Sequence, residues 1–159
     1  MNGGDFADLL RGDAVRVSLE VADKPAALRA LAELAAPIAG VASSLILERV
    51  RTREALGSTG FGQGVAIPHA RLPGLATLTV VVARLASPIQ YDALDGEDVD
   101  IMVLLLSDEQ AGADHLKALA RISRALRNRE ILAAVRAASD ADAVRAAIDR
   151  PALAAPRAA

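Results

Sequence analysis

Residues 101–106 read I-M-V-L-L-L, an unbroken apolar run. A strand with one face in water alternates apolar and polar side chains. A continuous apolar run therefore belongs to a strand covered on both faces. A second run of this kind lies at 78–85, centred on Val80-Val81-Val82. Two such strands need helices on both sides of their sheet, and the flanking sequence supplies them.

Residues 14–20 alternate Val15, Val17 and Leu19 with polar or small neighbours, the period of a half-buried strand. Asp23 is an N-cap residue and Pro25 suits a first helical turn. Leu28, Leu31, Leu34, Ala35 and Ile38 then follow helical spacing, with Pro37 and Gly40 stopping the helix. A second helix is expected over 43–56, with Ile46, Leu47, Val50 and Leu56 on its apolar side and Gly57 just past its end. Pro88, Asp95-Gly96 and several acids make 87–100 an exposed loop, with a tight turn at Asp95-Gly96. Beyond the 101–106 run, a long helix is expected over 113–127. Its inward residues are Leu116, Leu119, Ile122, Ser123 and Leu126, and His115 lies in its first turn. Asn128 caps a short helix to about residue 136, and the S-D-A-D at 139–142 starts a last one carrying Val144 and Ile148.

This order of strand, helices, strands and helices predicts an α/β (α+β) fold: one layered domain over 1–150, with a mixed central β-sheet flanked by helices. The Ala/Pro-rich 151–159 segment has nothing to bury and is expected to be a disordered C-terminal tail. A chain of 159 residues suits one domain.

Net charge is −2, basic and acidic residues are interspersed, and the only aromatics are Phe6, Phe61 and Tyr91. Neither a basic footprint nor a stacking platform for nucleic acid is present. There is no cysteine, which excludes thiol catalysis and disulfides. No apolar stretch approaches the roughly 18–20 residues that span a bilayer, and no signal peptide is visible. A cytoplasmic protein without membrane insertion is expected.

Residues 53–71 stand apart from all this. They carry Gly57, Gly60, Gly62 and Gly64, and a short apolar piece, Val65-Ala66-Ile67, delivers His69 directly after Pro68. Arg53 falls in the last turn of the preceding helix, where a cation also complements the helix dipole. With two histidines and no cysteine, a metal centre has too few ligands. There is no G-x-S-x-G elbow. No lysine follows the glycines as in a phosphate-binding P-loop, and the run leads into a strand rather than out of one, unlike a dinucleotide fingerprint.

What remains open on the residues alone is a structural His69 or a His69 that attacks phosphorus. Neutral imidazole has a lone pair near pH 7. Phosphoryl transfer otherwise needs an in-line approach and donors around the equatorial oxygens. Arg53, the hydroxyls of Ser58 and Thr59, loop N–H groups up to Gly60, and His115 at a helix start are the candidates for that role.

The run R-E-A-L-G-S-T-G-F-G-Q-G-V-A-I-P-H, residues 53–69, resembles the active-site signature of enzyme IIA domains of the bacterial phosphotransferase system, mannitol/fructose class. Residues 87–106 and 114–124 resemble that family's later blocks, so the likeness extends from about residue 8 to 148. The resemblance implies the mannitol-type enzyme IIA fold, with His69 as the phosphorylated histidine. It implies His115 as the second histidine that assists transfer, and Arg53 as the arginine that stabilises the phosphoryl group. No cofactor is implied. The implied donor is an HPr-like histidine phosphocarrier, and the implied recipient a regulatory target protein or an enzyme IIB. Ala70 and Arg71 stand where many members have a glycine-containing segment.

The R-E-A-L-G-S-T-G block at 53–60 and the D-V-D-I-M-V-L-L strand at 98–105 look closest to the nitrogen-regulatory branch, which is the expected one. A free-standing fructose/mannitol-type enzyme IIA that feeds a transporter is one alternative. A non-catalytic regulatory binding module is the other.

Overall fold

The computed structural model describes residues 6–149, so the expected 151–159 tail lies outside the described residues. A short helical turn at Ala7–Leu9 leads to β1 (Val15–Leu19), α1 (Lys24–Ala39) and α2 (Ser43–Glu54). Three short strands follow: β2 (Gly60–Gly62), β3 (Val65–Ala66) and β4 (His69–Leu72). The long strands β5 (Thr79–Ile89) and β6 (Val99–Asp108) precede α3 (Ala113–Leu126), α4 (Arg129–Ala137) and α5 (Ala141–Ile148).

The strands form one mixed six-stranded sheet in the order β1-β5-β6-β3-β2, with β4 also on β6. β5 pairs antiparallel with one edge of β6. The other edge is long enough to take β3 opposite Ile101 and Met102, then β4 opposite residues from Leu105 to Asp108, both parallel. Pro68 lies at the break between them. It has no N–H to donate, but its carbonyl accepts from the Leu105 N–H at 3.0 Å.

The apolar run of β6 is divided between two cores, as its composition demands. Ile101, Val103 and Leu105 pack with Val80, Val82, Ile122, Leu126 and Leu132 on the side of α3, α4 and α5. Met102, Leu104 and Leu106 pack with Val81, Ala83, Leu31 and Ile46 on the side of α1 and α2. Burying side chains of this size contributes about 1.5–3 kcal/mol each, which is why a central strand needs no polar face.

Two caps fall where the sequence places them, and the last helix is capped by Asp140 within the expected 139–142 start. The Asp23 side chain accepts from the Ala26 N–H at 3.0 Å, Asn128 from Glu130 N–H at 2.8 Å, and Asp140 from Ala143 N–H at 2.8 Å. Gly40 closes α1 in the left-handed region at φ 71.

Four expectations need correction. α1 runs through Pro37 to Ala39, because proline's φ fits a helix and only the N–H bond to the turn before is lost. Leu116 is 62% exposed: the buried face of α3 is set by His115, Ala118, Ile122, Ala125 and Leu126, and Leu116 is turned about 100° away from His115. Leu56 is 82% exposed, because α2 ends at Glu54 and Leu56 lies beyond its apolar stripe. Finally, 87–100 is not an exposed loop throughout. β5 continues to Ile89, which pairs with Val99, and Tyr91 and Ala93 are buried. The tight turn is present, with Gly96 N–H donating to the Ala93 carbonyl at 2.9 Å.

Candidate active site

Arg53 leaves the last turn of α2 with its guanidinium held on two sides. Nη1 donates to the Gly57 carbonyl at 2.9 Å, and Nε to His69 Nε2 at 3.3 Å. The loop that follows the helix thus aims the arginine at the histidine.

His69 opens β4 and is half-buried. Its Nδ1 lies 2.9 Å from the Ile67 carbonyl. A carbonyl only accepts, so the neutral ring carries its proton on Nδ1 and its lone pair on Nε2. Burial lowers the pKa of His69, and the nearby Arg53 charge adds to this against the opposing Ile67 bond. The neutral, nucleophilic form therefore dominates at pH 7.

His115 reaches the same place from the first turn of α3 and is 5% exposed. Its ring centroid is 5.5 Å from that of His69, at an interplanar angle of 55°. The Ser107 hydroxyl, near the end of β6, lies 2.5 Å from its Nδ1. Burial, with the charge of Arg71 and the neighbouring His69, pulls its pKa down to about 4. His115 is therefore neutral at pH 7, a hydrogen-bonding group rather than a charge.

Ser58, Thr59 and Gly60 follow on the loop into β2, and both hydroxyls and the N–H groups of Thr59 and Gly60 are engaged within the fold. Ser58 Oγ donates to the Tyr91 carbonyl at 3.2 Å and accepts from the Gly60 N–H at 3.1 Å. The Thr59 hydroxyl bonds to the Glu54 carboxylate, and its N–H donates to Glu54 Oε1 at 3.3 Å. A phosphoryl oxygen would reach these groups only by exchanging a bond. Gly60 has a packing reason to be glycine: a Cβ there would stand 2.9 Å from Ala93 Cβ and 3.0 Å from Ala93 Cα.

Beneath the loop lies a buried polar cluster that sequence reasoning missed. The Glu54 carboxylate accepts from Thr59, from the Tyr91 hydroxyl at 3.1 Å, and from Lys24 Nζ at 2.9 Å. Lys24 Nζ also sits 4.2 Å from the Tyr91 ring centroid. Burial and the Glu54 charge push the Tyr91 phenol well above its ordinary pKa, so it stays a donor. Three segments far apart in sequence thus fix the loop next to Arg53. Ser107 was also missed, although a polar residue at the end of a wholly apolar strand is a readable sign of a crevice at the strand's carboxyl end.

The structure brings Arg53, His69 and His115 to one place from three elements, with Ser58, Thr59 and Gly60 on the adjoining loop. The family model described as "Phosphoenolpyruvate-dependent sugar phosphotransferase system, EIIA 2" matches residues 8–150. A nitrogen regulatory protein from Bradyrhizobium diazoefficiens is 44% identical over 146 residues, covering 92% of this chain and 95% of that protein. The nitrogen regulatory protein IIA-Ntr from Neisseria meningitidis has a structure similar at TM-score 0.84 and 31% identity, over 89% of this chain and 97% of that one. The IIA mannitol structure from Escherichia coli shares the fold at TM-score 0.73 and 16% identity, over 87% of this chain and 98% of that one. The mixed sheet, the two-sided core and these likenesses together place the chain in the EIIA type 2 family of the phosphoenolpyruvate-dependent phosphotransferase system, where it resembles the nitrogen regulatory members.

Proposed function

We propose that residues 1–150 form a single phosphocarrier unit that accepts a phosphoryl group on Nε2 of His69 from an HPr-like histidine phosphocarrier in the cytoplasm. Its phosphorylation state then reports to a regulatory partner, as a nitrogen-regulatory enzyme IIA. The observation that carries this reading is the tautomer of His69. The Ile67 carbonyl holds the Nδ1 proton, and the lone pair on Nε2 accepts from the Arg53 guanidinium.

In the transfer, the Nε2 lone pair forms the new N–P bond in line with the breaking P–N bond of the donor's phosphohistidine. The donor imidazole leaves with that electron pair. Arg53 neutralises charge on the equatorial oxygens, and His115 offers a hydrogen bond without adding charge. The added phosphoryl group carries nearly two negative charges, enough to make or break a docking surface around His69. The 44% identity to a nitrogen regulatory protein supports the signalling branch.

The test is incubation with an enzyme I, an HPr-like carrier and phosphoenolpyruvate, followed by intact-mass analysis. One acid-labile phosphate is expected on the wild type and none on His69→Ala. An acid-labile phosphate that persists in His69→Ala overturns the assignment. Rapid onward transfer to a cysteine-bearing enzyme IIB of a sugar transporter would replace the signalling reading with the transport one.

A further inference from the structure

A phosphoryl group on His69 would bring close to two negative charges into a half-buried site. The groups assigned above supply one formal positive charge, on Arg53. His115 is neutral at pH 7, because burial and its neighbours hold its pKa near about 4. A partly desolvated dianion with a single cation is poorly compensated, so a second cation is needed.

The strand geometry provides one. Along β4 side chains alternate: Ala70 and Leu72 are buried toward α1 and α2, and His69 and Arg71 point to the other side. At a rise of about 3.3 Å per residue, two same-face neighbours on a strand stand roughly 6.6 Å apart. In the parallel register Arg71 pairs with Ser107, the residue whose hydroxyl contacts His115. Arg71 is thus next to His69 along the strand and next to the His115 anchor across it.

The state of the side chain is equally informative. Arg71 is partly buried, and its charge depresses the proton affinity of both histidines, which places it near both rings. Among the described residues its backbone carbonyl is engaged, accepting from Arg49 Nη1 at 3.2 Å. Arg49 itself is paired with Glu109 at 2.7 Å. Among the described residues no carboxylate or carbonyl takes a hydrogen bond from the Arg71 guanidinium. A planar fork of donors, half out of water and beside two neutral imidazoles, is suited to a phosphoryl oxygen pair.

We propose that Arg71 is a second phosphate-binding residue, its guanidinium donating to the oxygens of a phosphoryl group on His69 Nε2 while Arg53 donates from the α2 side. The inference rests on the phosphocarrier reading and extends it. Arg53 and Arg71 then bring the site close to neutrality in the phosphorylated state, and a repulsive pair of cations around neutral histidines remains in the unphosphorylated one.

The experiment uses the full chain phosphorylated by the carrier cascade and then freed of the carriers by gel filtration. The ³¹P resonance of the phosphohistidine is titrated with pH in wild type, Arg71→Met and Arg71→Lys. Arg71→Met keeps the apolar stem, and the unfolding midpoint of each variant is recorded as a control. Loss of a nearby cation should raise the second phosphate pKa of Arg71→Met by about one unit, and Arg71→Lys should restore most of it. Rates of phosphate uptake should fall about tenfold or more in Arg71→Met. An unchanged phosphate pKa in Arg71→Met, with wild type phosphorylated normally, overturns the Arg71 assignment alone, even where uptake slows; the residue would then serve carrier docking. If Arg71→Met does not fold, an Arg71→Lys protein whose phosphate pKa lies as far from wild type as that of free phosphohistidine overturns it. Failure of the wild type to take phosphate on His69 overturns the phosphocarrier reading and this inference with it.

Discussion

The guanidinium of Arg53 and the imidazole of His69 are 16 residues apart in sequence and 3.3 Å apart in space, Nε to Nε2. The contact meets the lone-pair side of the ring, since Nδ1 is bound to the Ile67 carbonyl. A donor that already touches the nucleophilic nitrogen needs little movement to reach oxygens on a phosphorus bonded there. Its second hold, on the Gly57 carbonyl, fixes its direction.

Arg53→Ala should therefore slow phosphate uptake by about 100-fold or more, in the range seen when a preorganised charge-stabilising donor is removed. Arg53→Lys should recover only part of this, because a point charge cannot hold both Gly57 and the phosphoryl group. Rapid-quench measurement with labelled phosphoenolpyruvate gives the rates. Equal rates in Arg53→Ala and wild type would leave the arginine as a helix-end cation only.

Stability should fall on mild acidification, and His115 should carry much of the effect. Its pKa is lowered from 6.5 unfolded to about 4 folded by burial, then by the Arg71 charge and His69. Between those values the unfolded chain binds the extra proton. The contribution is complete above pH 6.5 and is lost progressively as pH falls toward 4, by about 3 kcal/mol at most. The lowered His69 pKa acts in the same direction. Urea unfolding at pH 7 and pH 5 should show the loss, and His115→Gln should flatten it. An equal pH slope in the variant would assign the effect elsewhere.

Glu54→Ala should cost about 2–4 kcal/mol, because it strips a buried carboxylate from Lys24, Thr59 and Tyr91 together. The loop carrying Ser58 to Gly60 should loosen as well, and phosphate uptake should slow although Glu54 touches no reacting atom. Glu54→Gln retains some of the acceptor capacity and should lose less. Denaturation curves and uptake rates separate the two effects. A Glu54→Ala protein as stable as wild type would contradict the role given to the cluster.

Gly60→Ala should destabilise by about 1–3 kcal/mol, the usual cost of overpacking a closed site. The new Cβ meets Ala93 Cβ at 2.9 Å and Tyr91 Cδ1 at 3.1 Å. Adding Ala93→Gly should return part of the loss, since it removes one contact and leaves Ala93 Cα at 3.0 Å. A double-mutant cycle on thermal or urea midpoints measures the coupling. Additive losses would show that the two positions do not press on each other.

Much of the architecture was legible from local pattern. The apolar run of β6 announced a strand with two covered faces, and its residues do alternate between two cores. Asp23, Asn128 and the S-D-A-D at 139–142 announced helix starts, because capping depends on a side chain and an N–H two or three positions on. Leu116 and Leu56 were misplaced for a related reason: near a helix end, apolar spacing does not say which residue turns inward, and the neighbouring elements decide it. Ile89, Tyr91 and Ala93 were misread because turn-forming residues nearby hid a strand that continues and a segment that packs under the glycine loop.

The glycine-rich run ending in Pro68-His69 was determined by the sequence alone, as were the helix-end position of Arg53 and the first-turn position of His115. Each is a matter of a few consecutive residues. Only the tertiary structure decided which side of β4 faces α3, and so that Arg71 joins His69 while Ala70 and Leu72 turn toward α1 and α2. It also decided that Lys24, Glu54 and Tyr91 meet. These contacts depend on how β4 registers against β6 and how α2 crosses the sheet. Such long-range pairings are set by the packing of the whole core, and no local periodicity encodes them.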